Sequence, residues 1–433
     1  MAMSMKKIQS WGCLSAAAHE MIYLSDMTQV PTQLKTEKPG IPFGMGRSYG
    51  DVCLNPNGKL WSTRMLDKLI DFNEETGRLI CQAGVLLRDI QHVLIPRGWS
   101  LPVTPGTLWV TVGGAIANDV HGKNHHYFGT FGEHICWMRL MRTDGQIIEC
   151  GPDLNQDWFA ASVGGIGLTG LILEVELQLR RVETPWLETE LIPFSTLDEF
   201  FSLSHQSTLD WENTVSWIDC TNAGRGLFLR SNWSGKHGLH KPSSALAIPK
   251  GLPISLVNRM TLKPLNTLYY YHKKRQAGVS LVHYERFLYP LDHLLAWNRL
   301  YGPKGFYQYQ VVLAPENSRA ALIEMLLVIK QSNQGSCLAV LKTFGERLAV
   351  GMMSFVKPGV TLALDFANRG ETTLKLLTRL DAIAQAANGR LYLAKDARMS
   401  AKFFEKSYPM LEKFLQYRDL KMSSGLSRRL GMG

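Results

Sequence analysis

The chain has 433 residues, 45% of them hydrophobic, with 47 basic and 37 acidic side chains and a formal net charge of +10. That content excludes a disordered chain, a disulfide-stapled miniprotein and a collagen-like fibre, and the length suits two or three domains of about 150 residues each. The excess charge is local. No Asp or Glu lies between Cys220 and Tyr284, where ten basic residues fall: Arg225, Arg230, Lys236, Lys241, Lys250, Arg259, Lys263, Lys273, Lys274 and Arg275. The remainder is balanced, 37 against 37, so the excess serves a local purpose.

The seven cysteines (Cys13, Cys53, Cys81, Cys136, Cys150, Cys220 and Cys337) include no C-x-x-C pair. An odd count at irregular spacing argues against a disulfide framework and a zinc ribbon, and for reduced thiols in a cytoplasmic protein. Lys6 and Lys7 precede a stretch, Trp11 to Leu24, that loosely imitates a signal peptide, but His19 and Glu20 interrupt its apolar core. No run approaches the ~18 apolar residues of a spanning helix. The expectation is a cytoplasmic protein, or one peripheral at the inner membrane surface, with neither signal peptide nor transmembrane helix.

In chain order, Leu79–Gln82, Ile147–Cys150 and Leu171–Leu179 predict strands, the last from its period-two alternation. Val85–Leu94 predicts a helix that Pro96-Arg97-Gly98 ends. After Pro185, helices are expected near Ser195–Ser204 and Ser318–Gln331, and strands at Tyr307–Leu313 and Leu338–Thr343. Thr372–Ala387 predicts a helix stopped by Asn388-Gly389, Arg390–Lys395 a strand, and Ala401–Tyr417 the last long helix. The fold class is α+β in two parts.

Three glycine-dense segments stand out on the β-rich first part. Gly44-Met-Gly-Arg-Ser-Tyr-Gly-Asp51 offers a concavity of backbone N–H groups for phosphate oxygens, with Arg47 and Ser48 as further donors. Pro105-Gly-Thr107 and Thr111-Val-Gly-Gly-Ala-Ile-Ala-Asn118 lead to His121-Gly-Lys-Asn-His-His126, where Gly113 and Gly114 permit close backbone approach to a flat or phosphorylated ligand. Those histidines lack a nearby carboxylate and an H-E-x-x-H pattern, so no metal site is expected. Gly165-Ile-Gly-Leu-Thr-Gly170 satisfies G-x-G-x-x-G, but a strand follows it where a nicotinamide-binding fold needs a helix, so it suits a hairpin beside a large ligand. Three such loops without a Rossmann or Walker pattern suit a two-phosphate cofactor laid across them, with flavin adenine dinucleotide (FAD) the obvious candidate.

At these residues the chain resembles the FAD-binding domain of the vanillyl-alcohol-oxidase and p-cresol-methylhydroxylase (PCMH) type. Within that group it looks most like the decaprenylphosphoryl-β-D-ribose 2-oxidase family. The resemblance rests on GRSYGD, PGT followed by VTVGGAIA and HGKNHH, LDHLLAWNRLYGPKGFYQYQ, LKTFG, YLAKDAR and the terminal SRRL, and so covers essentially the whole chain. It implies a two-part PCMH-type FAD-binding domain (1–183), a substrate domain with an antiparallel sheet flanked by helices (184–389) and a C-terminal segment returning to the FAD domain (390–433). The first loop carries no histidine of the kind that holds flavin covalently in related oxidases, which implies non-covalent FAD.

Residue by residue, the resemblance assigns cofactor contacts to Gly44, Gly46, Arg47, Ser48, Tyr49, Gly106, Thr107, Thr111, Gly114, Ala117, Asn118, His121, Gly122, Ile172 and Tyr392. It assigns the substrate side to Lys123, Gln308, Gln310, Lys342 and Lys395, with His121 also facing that pocket. Lys395, His121 and Tyr49 are the candidate catalytic residues. Two departures stand out: Ala363-Leu-Asp365-Phe366 replaces the family's Cys-Val-Asp-Phe, losing the cysteine trapped by nitroaromatic inhibitors, and Ile166 replaces an Asn in Gly-Gly-Asn-Gly.

The implied reaction oxidises the C2 hydroxyl of a polyprenyl-phosphate-linked pentose to the 2-keto sugar, as the first half of an epimerisation completed by a short-chain dehydrogenase/reductase partner. Flavin accepts a hydride at N5, and the protein must position the carbon and stabilise developing negative charge, a task for a cation such as Lys395. No general base is identified beyond His121, a candidate by residue type. The alternatives are an FAD-dependent oxidase of a free sugar, alditol or aldonolactone, and a nucleic-acid or anionic-membrane binding module. No nucleic-acid partner is expected, because no nucleic-acid-binding motif accompanies the charge. The basic stretch, with apolar Ala245–Ile248 and Leu252–Val257 inside it, suits loops that meet a lipid phosphate at a membrane surface.

Overall fold

The computed structural model describes residues 5–35, 37–222, 224–239 and 246–433. The N-terminal stretch that imitates a signal peptide forms two strands, Met5–Gln9 and Ala16–Tyr23, paired antiparallel. They join Lys59–Ser62 and Gly40–Phe43 in a four-stranded sheet whose last two ladders are parallel. A second, five-stranded antiparallel sheet takes Leu69–Asn73, Arg78–Gln82, Leu171–Gln178, Ile135–Met141 and Ile147–Cys150 in that spatial order. The two sheets are the two parts of the PCMH-type fold.

The third sheet has eight antiparallel strands, ordered Gly278–His283, Trp186–Phe194, Gly226–Trp233, Asn213–Ile218, Val340–Phe344, Gly359–Ala367, Phe306–Leu313 and Arg390–Leu391. Period-two alternation gives each strand one face per residue parity. In Gly359–Ala367, the buried Leu362, Leu364 and Phe366 turn to one face, where the helices Leu197–Ser207, Pro315–Ser332 and Glu371–Ala386 complete a core with Phe200, Leu322, Met325 and Leu377. Thr361, Ala363 and Asp365 turn to the other face, which a cleft occupies.

Four expectations need correction. Arg390–Lys395 pairs as a strand only at Arg390 and Leu391; the chain then turns, with the Lys395 and Asp396 amides both donating to the Tyr392 carbonyl at 3.0 Å. That turn frees the Ala394 carbonyl to accept from the Tyr49 amide at 3.0 Å. Ala401–Tyr417 is two short helices, Ala401–Ser407 and Leu411–Leu415, because Pro409 cannot donate to a continuing helix. The Gly165–Gly170 glycines connect the helix Gln156–Ser162 to a strand, so they are not a hairpin turn. Within the basic stretch, Arg259–Lys274 is a helix rather than a loop, capped by Asn258, whose side chain accepts from the Met260 and Thr261 amides. Local charge had hidden its pattern, and Pro264, at the sixth helical position, has no N–H to donate to the Met260 carbonyl. Lys241 and Ala245 lie outside the described residues.

The C-terminal SRRL motif closes the structure. Ser424 caps the helix Gly425–Arg429 in a capping box with Ser427. The Arg429 guanidinium donates to Asp51 Oδ1 and to Asp396 Oδ2, each at 2.8 Å, and to the Met399 carbonyl at 2.7 Å. One side chain thus ties the Gly44–Asp51 loop to the turn that carries Lys395. Arg429→Ala leaves the buried Asp396 carboxylate without this partner, with an expected loss of about 2–4 kcal/mol in urea denaturation. Arg429→Lys should recover only part of it, because an ammonium lacks the planar fork; an unchanged midpoint in both variants would refute the tie.

Candidate active site

All the cofactor and substrate residues named above line one cleft of about 1520 Å³ between the first two sheets and the eight-stranded sheet. The Gly44–Asp51 loop leaves the strand Gly40–Phe43 and is fixed at its far end, where Ser48 accepts from the Trp11 amide at 3.0 Å and Tyr49 from the Gly12 amide at 3.2 Å. A Cβ on Gly44 would lie 2.5 Å from Thr111 Oγ1, the oxygen that caps the helix Val112–Ala117 by accepting from the Gly114 amide. Only glycine lets these two loops approach. A Cβ on Gly106 meets no heavy atom within 4 Å, so the backbone there is open to the cleft.

Polar groups left unpaired inside the cleft show what it is built to hold. Arg47 stacks over the Trp11 ring at 4.2 Å, and its buried Nε has no partner among the described residues. Asn118 Nδ2 donates to the Gly114 carbonyl at 2.8 Å, leaving the buried Oδ1 without a partner among the described residues. Buried polar atoms are ordinarily satisfied. Orphans on two glycine-lined loops, with open backbone at Gly106, therefore fit a long ligand that alternates phosphate, hydroxyl and ring, as FAD does. The Thr107 hydroxyl, at the cleft wall, donates to Asp292 Oδ1 at 2.6 Å, while Asp292 Oδ2 accepts from the Leu108 amide at 2.7 Å.

Tyr392 packs on Phe355 at a ring-centroid distance of 4.7 Å and donates its hydroxyl to the Asn118 carbonyl at 2.9 Å, fixing the C-terminal segment against the cofactor loops. Ile172 and Gly122 line the wall between. His121 sits among Phe344, Phe355 and Tyr392. Burial, then the Lys342 charge, holds its pKa well below the usual imidazole value, so the ring is neutral. With the Gln310 amide nitrogen donating to Nε2 at 3.1 Å, the ring proton sits on Nδ1. Nδ1 faces Lys342 Nζ at 2.8 Å, and Nζ also donates to the Gly122 carbonyl at 2.6 Å. Both contacts are hydrogen bonds when Lys342 is a neutral amine. Burial first, then Lys123 and Lys395, push its pKa that way.

The neighbouring histidines do other work. His125 is buried against Phe344 with its pKa lowered to about 3 by burial, and His126 Nε2 bonds the Trp211 carbonyl at 2.7 Å. Among the described residues no group of three metal-ligating side chains gathers.

On the opposite wall, Lys395 Nζ lies 4.0 Å from the centre of the Tyr49 ring. Burial lowers its pKa to about 8, opposed by Asp365. Burial and then Asp365 hold the Tyr49 phenol well above its usual value, so it stays protonated. Gln308 Nε2 donates to Asp365 Oδ1 at 2.9 Å, and the buried Asp365 Oδ2 has no hydrogen bond among the described residues. Burial raises this carboxyl to about 7. Lys123 reaches over the Phe287 ring and donates to the Leu288 carbonyl at 2.7 Å, its pKa lowered to about 8 by burial.

Two members of the site escaped the sequence reading. Asp365 was visible only as a neighbour of the replaced cysteine, although period two from Ala363 puts both on the cleft face, where Ala363 faces Gln310 and Asp365 faces Gln308 in register. Asp292 had no local signal, because its partner Thr107 is 185 positions away. The fit of the cleft to the cofactor can be checked at Gly106. Gly106→Ala should leave the unfolding of the flavin-free chain unchanged and weaken flavin retention roughly tenfold or more, a cost of about 1–3 kcal/mol. Undiminished flavin titration would place the cofactor elsewhere.

A family model described as an FAD binding domain matches residues 33–151, the span that holds the first two glycine loops. The chain is 31% identical to decaprenylphosphoryl-beta-D-ribose oxidase of Mycolicibacterium smegmatis, over 98% of this chain and 97% of that one. It is 22% identical to L-gulonolactone oxidase of Bos taurus, over 97% and 96% of the two chains, and 28% identical to a putative D-arabinono-1,4-lactone oxidase of Neurospora crassa over 30% of this chain. With cofactor loops, cleft and C-terminal turn assembled as above, the chain belongs to the decaprenylphosphoryl-β-D-ribose oxidase family and is an FAD-dependent alcohol oxidoreductase.

Proposed function

We propose that this enzyme oxidises the C2 hydroxyl of a pentose carried on a polyprenyl phosphate to the 2-keto sugar. The observation that carries this reading is the convergence of Lys123, Lys342 and Lys395 on one cleft, where Lys123 and Lys395 both depress the pKa of Lys342. Buried lysines that suppress one another's charge call for an anion, and a sugar phosphate favours their charged forms as it binds. A free sugar or lactone carries no such charge. The relative that is 31% identical over 97% of its length is named for a phosphoryl-linked ribose, whereas the L-gulonolactone oxidase matched over a similar span is 22% identical. Release of a 2-keto sugar for reduction by a short-chain dehydrogenase/reductase partner would complete an epimerisation.

Bound FAD supplies the hydride acceptor for this chemistry. The chain's own residues do the rest. Gln308 and Gln310 stand two residues apart on one strand face, about 7 Å, and present amides to sugar hydroxyls. Neutral His121, oriented by Gln310 and Lys342, holds the inner wall of the pocket. Lys395, charged below about pH 8, places a cation beside Tyr49 where negative charge develops. Asp365 sets the charge state of Lys395 from behind.

The same reading brings the enzyme to a membrane surface to meet its substrate. Of the ten basic residues, Arg225, Arg230 and Lys236 are matched by Asp219, Glu190 and Glu188. Among the described residues, the charge without an ion-pair partner concentrates on the Arg259–Lys274 helix and Arg275, beside exposed Met260, Leu268 and Tyr271. No helix among the described residues is long and apolar enough to cross a membrane. Neutralising Lys273, Lys274 and Arg275 together should reduce sedimentation with anionic vesicles while sparing flavin content; equal sedimentation would sink the membrane contact.

The charge on Lys395 gives a direction for pH. Its depressed pKa means the cation is lost as pH rises through about 8, so single-turnover bleaching by a polyprenylphosphoryl pentose should slow above that value. Asp365→Asn removes the carboxylate that opposes this depression, so the falling limb should move to lower pH. A limb that stays in place would show that Asp365 does not act on Lys395, and bleaching by free sugars alone would select the small-substrate oxidase.

A further inference from the structure

The cleft runs on past the sugar pocket, and its floor is the free face of the eight-stranded sheet. Register fixes which residues share that face. Gln308 and Gln310 lie opposite Asp365 and Ala363, Val340 lies opposite Ala363, Lys342 opposite Thr361, and Trp217 opposite Val340. Leu227 then faces Trp217, Leu229 faces Val215, and Leu191 faces Leu229. Read across the strands, the floor is amide, carboxyl and ammonium for three strands, then aliphatic and indole for three. Val215, Leu229 and Leu191 are only half-buried although apolar, and all three line the cleft. The Arg259–Lys274 helix roofs this end through Leu265 and Tyr269, with the Tyr269 ring edge-on to Trp217 at 4.9 Å.

We propose that the apolar strip of Trp217, Leu227, Val215, Leu229 and Leu191 is the seat of the first isoprene units of the substrate's polyprenyl tail. This rests on the reading of the substrate as a polyprenyl phosphate. The strip begins one strand beyond Lys342 and crosses two interstrand spacings, about 10 Å, before reaching Leu191. Its continuity with the lysine cluster selects the occupant: the strip adjoins Lys342 on the same sheet face, so a chain attached to a phosphate held there runs onto it. The tail leaves beneath the roof helix, beside Lys273 and Arg286, which also line the cleft. Apolar contact along the strip extracts the chain from its lipid surroundings in register, so the sugar arrives at Gln308 and Gln310 already oriented.

The test uses flavin-loaded protein and probes without any sugar: inorganic phosphate, geranyl phosphate, farnesyl phosphate and decaprenyl phosphate, followed by calorimetry and by Trp217 fluorescence. Affinity should climb at least about a hundredfold from inorganic to farnesyl phosphate and then level off, because apolar burial along the strip is finite. Val215→Trp, which fills the strip, and Leu229→Glu, which charges it, should each remove about tenfold or more of that gain without changing flavin content or the affinity for inorganic phosphate. Should either variant lose flavin, Leu191→Ser makes the same measurement with a smaller change. Undiminished gain in the variants, or affinity independent of tail length, would overturn the proposal. Failure of the substrate reading shows separately, as wild-type protein that binds prenyl phosphates but is not bleached by any prenylphosphoryl pentose.

Discussion

Taking an ammonium group out of water costs several kcal/mol unless opposite charge meets it, and this cleft draws in three. Lys123 and Lys395 have one carboxylate each within electrostatic reach, Asp292 and Asp365, while for Lys342 the other two lysines add to the cost of burial. Such a site is tense without an anion. The tension explains why the Lys342 pKa is pushed down, with Nζ held against His121 Nδ1 and the Gly122 carbonyl. It also explains why Asp365 is tolerated at zero exposure with one oxygen lacking a hydrogen bond among the described residues: its field lowers the cost of Lys395.

Holding that cluster in place takes a rigid frame, and the frame is assembled from distant segments. Lys342, Gln308, Gln310 and Asp365 stand on adjoining strands whose other face is packed by three helices. Lys395 and Tyr49 lie on turns, which strands do not fix. For these the chain uses the backbone bond from Tyr49 to Ala394 and the Arg429 bridge between Asp51 and Asp396. A terminal motif with no chemistry of its own thereby sets the distance between a cation and a phenol.

What the sequence made legible follows the range of the interactions. The glycine loops were readable because their requirement is local: a Cβ at Gly44 collides with Thr111 wherever else the chain runs. Strands such as Phe306–Leu313 and Leu171–Gln178 were readable from alternation, and the helix Glu371–Ala386 from its periodicity and the Asn388 stop. The Arg259–Lys274 helix was not, because its mean apolar character is low and the signal that holds it is a single cap at Asn258. The turn at Tyr392–Asp396 was hidden for another reason: YLAKDAR begins as a strand and is bent by a partner more than three hundred positions away, Tyr49. The match of the motifs to a family supplied what local physics could not, yet it assigned no role to Asp292 and Asp365, which stand inside matched stretches and act through the distant Thr107 and Gln308.

The net charge of +10 takes its meaning from this geometry. Part of the basic stretch is spent internally, with Arg225 on buried Asp219 and Arg230 on Glu190, both holding strands and helix together. The rest stands on the helix that roofs the apolar end of the cleft. A polyprenyl phosphate is amphipathic in the same order as the cleft floor: a polar head for the amides and lysines, then an apolar chain for the leucines and tryptophan. Were the order of strands reversed, the tail would enter toward the flavin loops and the sugar would face the roof, away from Lys395. Because strand order is fixed by the fold and not by side chains, the direction in which substrate threads is set before any recognition contact is made.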